Sequence, residues 1–266
     1  MEKILNTKED WIFSIQKVKK KFTKKNKFSY LKLLKRPSVK DINDIYFSDI
    51  KIPRSRISII KGKTGCGKTT LVNMIGLMDE IDFEDDGDII FSLSKQETIN
   101  YKELKTSIDI ERVRSKYFGF MFQSDYLIDR MTGWENIILP FILKNPKSTQ
   151  DKAKKQAVQL LEECNFRDIL DTNILNRSPS TFSGGQRQRV ALIRALMNKP
   201  TVIITDEPLA SVDSETSQYI LKTLSKLTIK GKTVIMVAHD TLEHIYEKKE
   251  YDPYSINLQQ KSLLRR

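Results

Sequence analysis

The residues Gly62-Lys63-Thr64-Gly65-Cys66-Gly67-Lys68-Thr69 match the spacing G-x-x-x-x-G-K-S/T and carry a third glycine, Gly65, between its two. Glycines let a loop curl until consecutive backbone N–H groups face inward, and a helix starting directly behind adds the positive end of its dipole. Lys68 supplies a point charge for phosphate oxygens and Thr69 a hydroxyl able to ligate Mg²⁺, with Thr70 extending the set into the helix. This is chemistry for a nucleoside triphosphate. An apolar β-branched run at 57–60 precedes the loop and a helical run at 70–77 follows it, which an accidental glycine-rich turn would not require. Cys66 reads as a loop residue whose packing against phosphate leaves it little redox freedom.

A second constellation is Val202-Ile203-Ile204-Thr205-Asp206-Glu207-Pro208, an apolar strand that delivers two adjacent carboxylates at its end. Two acids suggest two tasks: Asp206 to hold Mg²⁺ through its water shell, and Glu207 to polarise the water that attacks the γ-phosphate. Alone the pair is weak evidence, because surface acids after strands are common. A third constellation, Ser183-Gly184-Gly185-Gln186-Arg187-Gln188-Arg189, opens a helical run at 190–197. Its backbone N–H groups and helix dipole form another anion site, so one chain carries two phosphate-binding devices in separate places.

The third constellation resembles the signature sequence of the ABC (ATP-binding cassette) ATPases. With that resemblance the remaining motifs fall in the family's order. Gln123, after the apolar 118–122, is similar to the Q-loop glutamine, Ala210-Ser211-Val212-Asp213 to the D-loop, and His239, ending the strand 233–238, to the switch histidine. The resemblance spans about 11–245. It implies a P-loop NTPase of the ABC-ATPase fold, an α/β protein with a mainly parallel core sheet, an antiparallel β subdomain and an inserted helical subdomain. It also implies ATP and Mg²⁺ as ligands, Gln123 near the metal and the attacking water, His239 at the γ-phosphate, and a head-to-tail dimer with ATP between the loop at 62–69 of one copy and Ser183, Gly184, Gly185, Gln186 and Asp213 of the other.

The sequence departs from the family in four places. Phe22 stands where an aromatic, often tyrosine, stacks on adenine, with Phe28 or Tyr30 as alternatives. Residues 23–36 read as a basic insertion. Phe182 replaces the usual leucine before the signature, an apolar change that should leave the phosphate-facing N–H groups in place. The segment 251–266 lacks the glycine turn of the last hairpin, and its end is expected to fray or to meet a partner.

The elements that must position these residues are legible in outline. Short apolar strands at 57–60, 202–205 and 233–237 alternate with amphipathic helical stretches, the pattern of a parallel α/β sheet with ligands at the strand ends, and by the resemblance 12–18 reads as the family's first strand. From 106 to about 171 the reading is helical, with Ala153, Ala157, Val158, Leu160 and Leu161 at helical spacing. The chain is expected to be one nucleotide-binding domain. Its ATPase core runs over 11–105 and 172–250, the helical subdomain over about 106–171, and the tail over 251–266.

Phe118-Gly119-Phe120-Met121-Phe122-Gln123-Ser124-Asp125-Tyr126-Leu127, followed by Met131-Thr132-Gly133-Trp134-Glu135-Asn136-Ile137, is similar to the lipoprotein-releasing, macrolide-exporting and cell-division ABC group. That resemblance implies a membrane-embedded permease on separate chains, received by the surface around 125–141. Trp134 and Phe141 are candidate anchors there, with core packing the equal alternative. Soluble relatives acting on nucleic acid carry long coiled-coil insertions, whereas only about 120 residues separate the loop at 62 from the signature at 183. A signalling or defence module whose ATP state is read by a partner without transport remains the alternative function.

Composition sets the outer bounds. An apolar fraction of 39% suits a globular core, and no run approaches the ~18 apolar residues of a membrane span. The first ten residues lack the apolar heart of a signal peptide, so a cytoplasmic protein, peripheral on the inner face of the membrane through its partner, is expected. Cys66 and Cys164 are too far apart for a disulfide framework and have no metal-ligand neighbours. Much of the net charge of +12 lies between Lys17 and Arg36, a run without Asp or Glu. That run reads as a solvated loop, a face for anionic lipid, or a nucleic-acid patch.

Overall fold

The computed structural model describes residues 10–21, 44–122, 127–209, 212–238 and 253–258. Two sheets organise them. The first is antiparallel: β1 (Trp11–Lys20), β2 (Ile45–Phe47), β3 (Ile50–Pro53), β5 (Asp82–Ser92) and β6 (Thr98–Asn100), in the order β2-β1-β5-β6 with β3 also on β1. The second is parallel throughout, in the order β10 (Tyr254–Asn257), β4 (Ile57–Lys61), β9 (Thr233–Val237), β8 (Val202–Asp206) and β7 (Phe118–Met121). The helices are α1 (Lys68–Ile75), α2 (Ser107–Tyr117), α3 (Gly133–Lys144), α4 (Gln150–Glu163), α5 (Arg167–Asp171), α6 (Gly184–Leu196) and α7 (Ser214–Ile229).

Strand alternation divides the core in two. Ile57, Ile59, Ile203, Val234 and Met236 face one side of the parallel sheet and pack with α3, α4, α6 and α7. Ile60, Val202, Ile204, Ile235 and Val237 face the other, against α1 and the antiparallel sheet. An aromatic cluster joins the two sheets: Phe13 stacks on Phe91 at 4.7 Å, and Phe118 of the edge strand β7 lies 6.2 Å from Phe13. The strand expectations at 57–60, 202–205 and 233–237 coincide with β4, β8 and β9.

One expectation needs correction. The stretch 106–171, read as helical, contains β7, which pairs in parallel with β8 and is part of the core sheet. Four residues are too few to show a period, and Gly119 belongs there because a Cβ would meet the Ala195 carbonyl oxygen at 2.3 Å. The tail 251–266, expected to fray or to meet a partner at its end, also contains β10, which pairs with β4 from Tyr254 to Asn257 and continues with Leu258 N–H donating to Lys61 O at 2.9 Å; residues 259–266 lie outside the described residues.

The acid-free lysine run acquires partners from elsewhere in the chain. Lys17 pairs with Asp86, Lys19 with Glu84, Lys20 with Asp79 and Lys21 with Asp82. Lys20 is buried, and its ammonium also donates to Glu80 O at 3.1 Å. The acids follow α1 in sequence, so this ladder ties the end of β1 to the region behind the glycine-rich loop. Residues 23–36 of the run lie outside the described residues.

Candidate nucleotide site

The loop between β4 and α1 has the backbone its glycines were expected to permit. Gly62, Gly65 and Gly67 adopt φ of +147°, +85° and +96°, in the region L side chains rarely enter. Gly67 is the N-cap of α1 and carries no side-chain cap, whereas α2, α3, α4, α6 and α7 are capped by Thr106, Thr132, Thr149, Ser183 and Asp213. The first-turn N–H groups of α1, which have no intrahelical acceptor, are therefore available to an anion.

Lys68 Nζ turns back over the loop, donating to Gly62 O at 2.5 Å and Lys63 O at 3.4 Å. Its charge is thus held where phosphate oxygens would enter. Lys63, Thr64 and Gly65 are exposed at the rim and Thr70 is half-buried in the first turn. The Cys66 side chain points away from the rim and is buried, so its part in the loop is a backbone one. A Cβ on Gly62 would meet Cys66 Sγ at 2.7 Å and Leu258 O at 2.8 Å, which shows how closely β10 backs the loop.

Asp206 ends β8 beside α1, and Thr69 Oγ1 donates to Asp206 Oδ2 at 3.1 Å. A hydroxyl and a carboxylate converging at this distance fit a hard cation with water in the rest of its shell, as Mg²⁺ prefers. Burial raises the Asp206 carboxyl above its usual range and Glu207 adds to the shift, against the lowering by the Thr69 hydrogen bond and Lys68. Glu207 follows at φ +48°, with its N–H donating to Val237 O at 3.0 Å. This left-handed residue ends the strand directly after Asp206, and its backbone is tied to the neighbouring strand β9.

The signature lies on the opposite face of the parallel sheet, at the head of α6. Ser183 Oγ accepts from Gln186 N–H at 3.2 Å and Gln186 Oε1 accepts from Ser183 N–H at 2.9 Å, a reciprocal capping box. The Gln186 side chain is thereby committed to its own helix. The N–H groups of Gly184 and Gly185, which lie between these two residues in the chain, are used by neither capping bond. Phe182 is buried, and its carbonyl accepts from Arg187 Nη1 at 2.9 Å. Asp213 caps α7, accepting from Thr216 N–H and Thr216 Oγ1, both at 2.8 Å, and the backbone bond from Thr216 holds its carboxyl below the usual range.

Of the remaining expected positions, Trp134 and Phe141 pack in the helical core. Phe22, Gln123 and His239, together with Ala210 and Ser211, lie outside the described residues. What sequence reasoning missed is the Thr216 contact with Asp213, whose only sequence signal is an Asp three residues before a Thr at a helix start.

Glycine-lined loop, uncapped helix, paired carboxylates and a second helix head define an ATPase of the P-loop class with a cassette-type signature. The chain belongs to the ABC transporter family, whose match covers residues 47–210, and it is an ATPase of that family. It is 37% identical over 198 residues to the uncharacterized ABC transporter ATP-binding protein MJ1508 of Methanocaldococcus jannaschii, covering 72% of this chain and 79% of that protein. It is 36% identical over 192 residues to the macrolide export ATP-binding/permease protein MacB of Pasteurella multocida, covering 72% of this chain but only 27% of MacB. Among solved structures, the dimeric post-hydrolysis state of the cassette MJ0796 bound to ADP and Pi superposes with a TM-score of 0.70 at 28% identity, over 95% of this chain and 97% of that one.

Proposed function

We propose that the chain is the ATP-driven subunit of a transporter-type complex. It pairs head-to-tail with a second copy of itself or a homologous cassette, and drives a permease carried on separate chains. The observation that carries this reading is the placement of the uncapped head of α1 and the Ser-Gly-Gly head of α6 on helices that pack on opposite faces of one sheet. One chain cannot close both on the same triphosphate. Two chains, each presenting α1 to the other's α6, can. The relatives support the same arrangement, since MJ0796 forms dimers and MacB joins ATP-binding and permease functions in one protein.

In this reading the N–H groups of the loop at 62–69 and Lys68 hold the β- and γ-phosphates, and Thr69 with the Asp206 carboxylate holds Mg²⁺. The bound cation would neutralise charge on the phosphate oxygens. Glu207 polarises a water whose oxygen bonds to the γ-phosphorus as the bond to the β–γ bridging oxygen breaks, leaving ADP and phosphate. By resemblance Gln123 and His239 complete the water and γ-phosphate contacts, and Phe22 meets the adenine. The outer segment 125–141 receives the permease. Anionic lipid contact rests on the lysines at 24–36, because Lys17, Lys19, Lys20 and Lys21 are paired within the fold. The site is then cytoplasmic, at the membrane through its partner.

The test is a pull-down from gently solubilised membranes with tagged Glu207→Gln protein in MgATP. This variant should bind ATP, hydrolyse it at less than about a hundredth of the normal rate, and recover a stoichiometric integral membrane protein. Recovery of soluble proteins or nucleic acid alone would overturn the transporter reading in favour of a non-transport cassette. A normal hydrolysis rate would overturn the role of Glu207.

A further inference from the structure

The signature and the D-loop are separate in sequence, but one side chain touches both. Thr216, in the first turn of α7, spends its hydroxyl on Asp213 Oδ2 and its N–H on Asp213 Oδ1. On its other side it abuts the head of α6. A Cβ built on Gly185 would lie 2.9 Å from Thr216 Cγ2 and 3.0 Å from Thr216 Oγ1. Gly185 is therefore needed for the close approach of α6 to α7.

A second brace lies one helical turn further along. The Arg189 guanidinium pairs with Asp168 at 2.7 Å and lies over the Phe166 ring at 5.8 Å. Phe166 in turn lies 6.0 Å from the Tyr219 ring of α7, whose hydroxyl donates to Asn165 O at 3.1 Å. The heads of α6 and α7 are thus held as one body, with Thr216 at the point nearest both motifs.

We propose that Thr216 is a positioning residue for ATP hydrolysis. It fixes Asp213 relative to Gly184 and Gly185, so that both motifs reach the facing copy in register. The inference rests on the sandwich-dimer reading above. In that reading Asp213 and the signature act on the partner's nucleotide, and a shift of either by a few tenths of an ångström spoils closure without disturbing nucleotide binding to the chain's own loop.

The test compares Thr216→Val, which keeps the shape but removes the hydroxyl, with Thr216→Ser, which keeps the hydroxyl. Thr216→Val should lower kcat about tenfold while ATP affinity in the monomer, read with a fluorescent ATP analogue, stays within about twofold. Thr216→Ser should recover most of kcat. In the Glu207→Gln background with MgATP, adding Thr216→Val should weaken dimerisation at least about tenfold by sedimentation. A purely structural role would instead lower Tm and leave kcat unchanged well below it. That result, or equal dimerisation with and without the Thr216 change, overturns the inference. If Glu207→Gln itself fails to dimerise in MgATP, the sandwich reading has failed.

Discussion

At the scale of single residues, the site trades stability for chemistry at Asp206. Its carboxyl is raised by burial, so the folded state holds the proton more tightly than the unfolded chain does. The ionised form therefore costs stability. The cost is fully present above the folded pKa and vanishes as pH falls below the unfolded value of about 3.9. Asp206→Asn keeps an oxygen for the Thr69 hydroxyl and removes the buried charge. Without nucleotide or Mg²⁺ it should raise Tm at about pH 7.5, and the gain should shrink towards zero near about pH 4. Thermal melts across that range check this, and a variant less stable than the parent at neutral pH would contradict it. Glu207 carries a cost of another kind, a non-glycine residue at φ +48° directly after the strand. These motifs were legible because each is a run of consecutive residues with its own chemistry. The Thr216–Gly185 contact and the pairing of Lys17, Lys19, Lys20 and Lys21 were not, since both join residues dozens of positions apart.

At the scale of elements, α1 must present its head to phosphate, so its tail has to be anchored. Tyr101, buried in the turn after β6, donates its hydroxyl to Ile75 O at 2.6 Å, and Arg114 of α2 donates to Leu77 O at 2.9 Å. Gly76 lies so close to Phe120 of β7 that a Cβ would meet its ring at 2.5 Å. The antiparallel sheet, α2 and the edge strand thus each hold one point of the tail. Tyr101→Phe removes the hydroxyl and leaves a buried carbonyl short of a partner. It should destabilise the fold by about 1–2 kcal/mol, read as a lower urea midpoint at unchanged m-value. A stability within experimental error of the parent would mean that the hydroxyl bond contributes nothing net. The buried parallel strands were legible because predominantly apolar, β-branched runs bounded by motifs have few other readings. β7 was hidden in a stretch whose surroundings are helical, and β10 in a tail whose pairing with β4 depends on a partner almost 200 residues away. The antiparallel strands came only with the family resemblance. β5 opens with five acids between Asp82 and Asp88, which find meaning once β1 brings its lysines alongside.

At the scale of the whole molecule, both core clusters meet on the parallel sheet, and both helix heads are anchored to it from opposite sides. Nucleotide bound at α1 should therefore stabilise the chain as a unit. Ligand at a hundred times its Kd contributes ~2.7 kcal/mol, a rise of roughly 5–10 °C in Tm for a chain of this size. Lys68→Ala should abolish most of that rise. A sandwich dimer adds a dependence that a monomer cannot show. If ATP is held between two copies and is not hydrolysed, unfolding must also separate them, so Tm rises with protein concentration by mass action. Glu207→Gln in MgATP should show this dependence over a hundredfold range of concentration. The same protein without nucleotide should not, and the parent should lose it as ATP is consumed. A concentration-independent Tm for Glu207→Gln in saturating MgATP would mean that each chain binds its nucleotide alone. The head of α6 would then need another anionic partner to explain its Ser-Gly-Gly start.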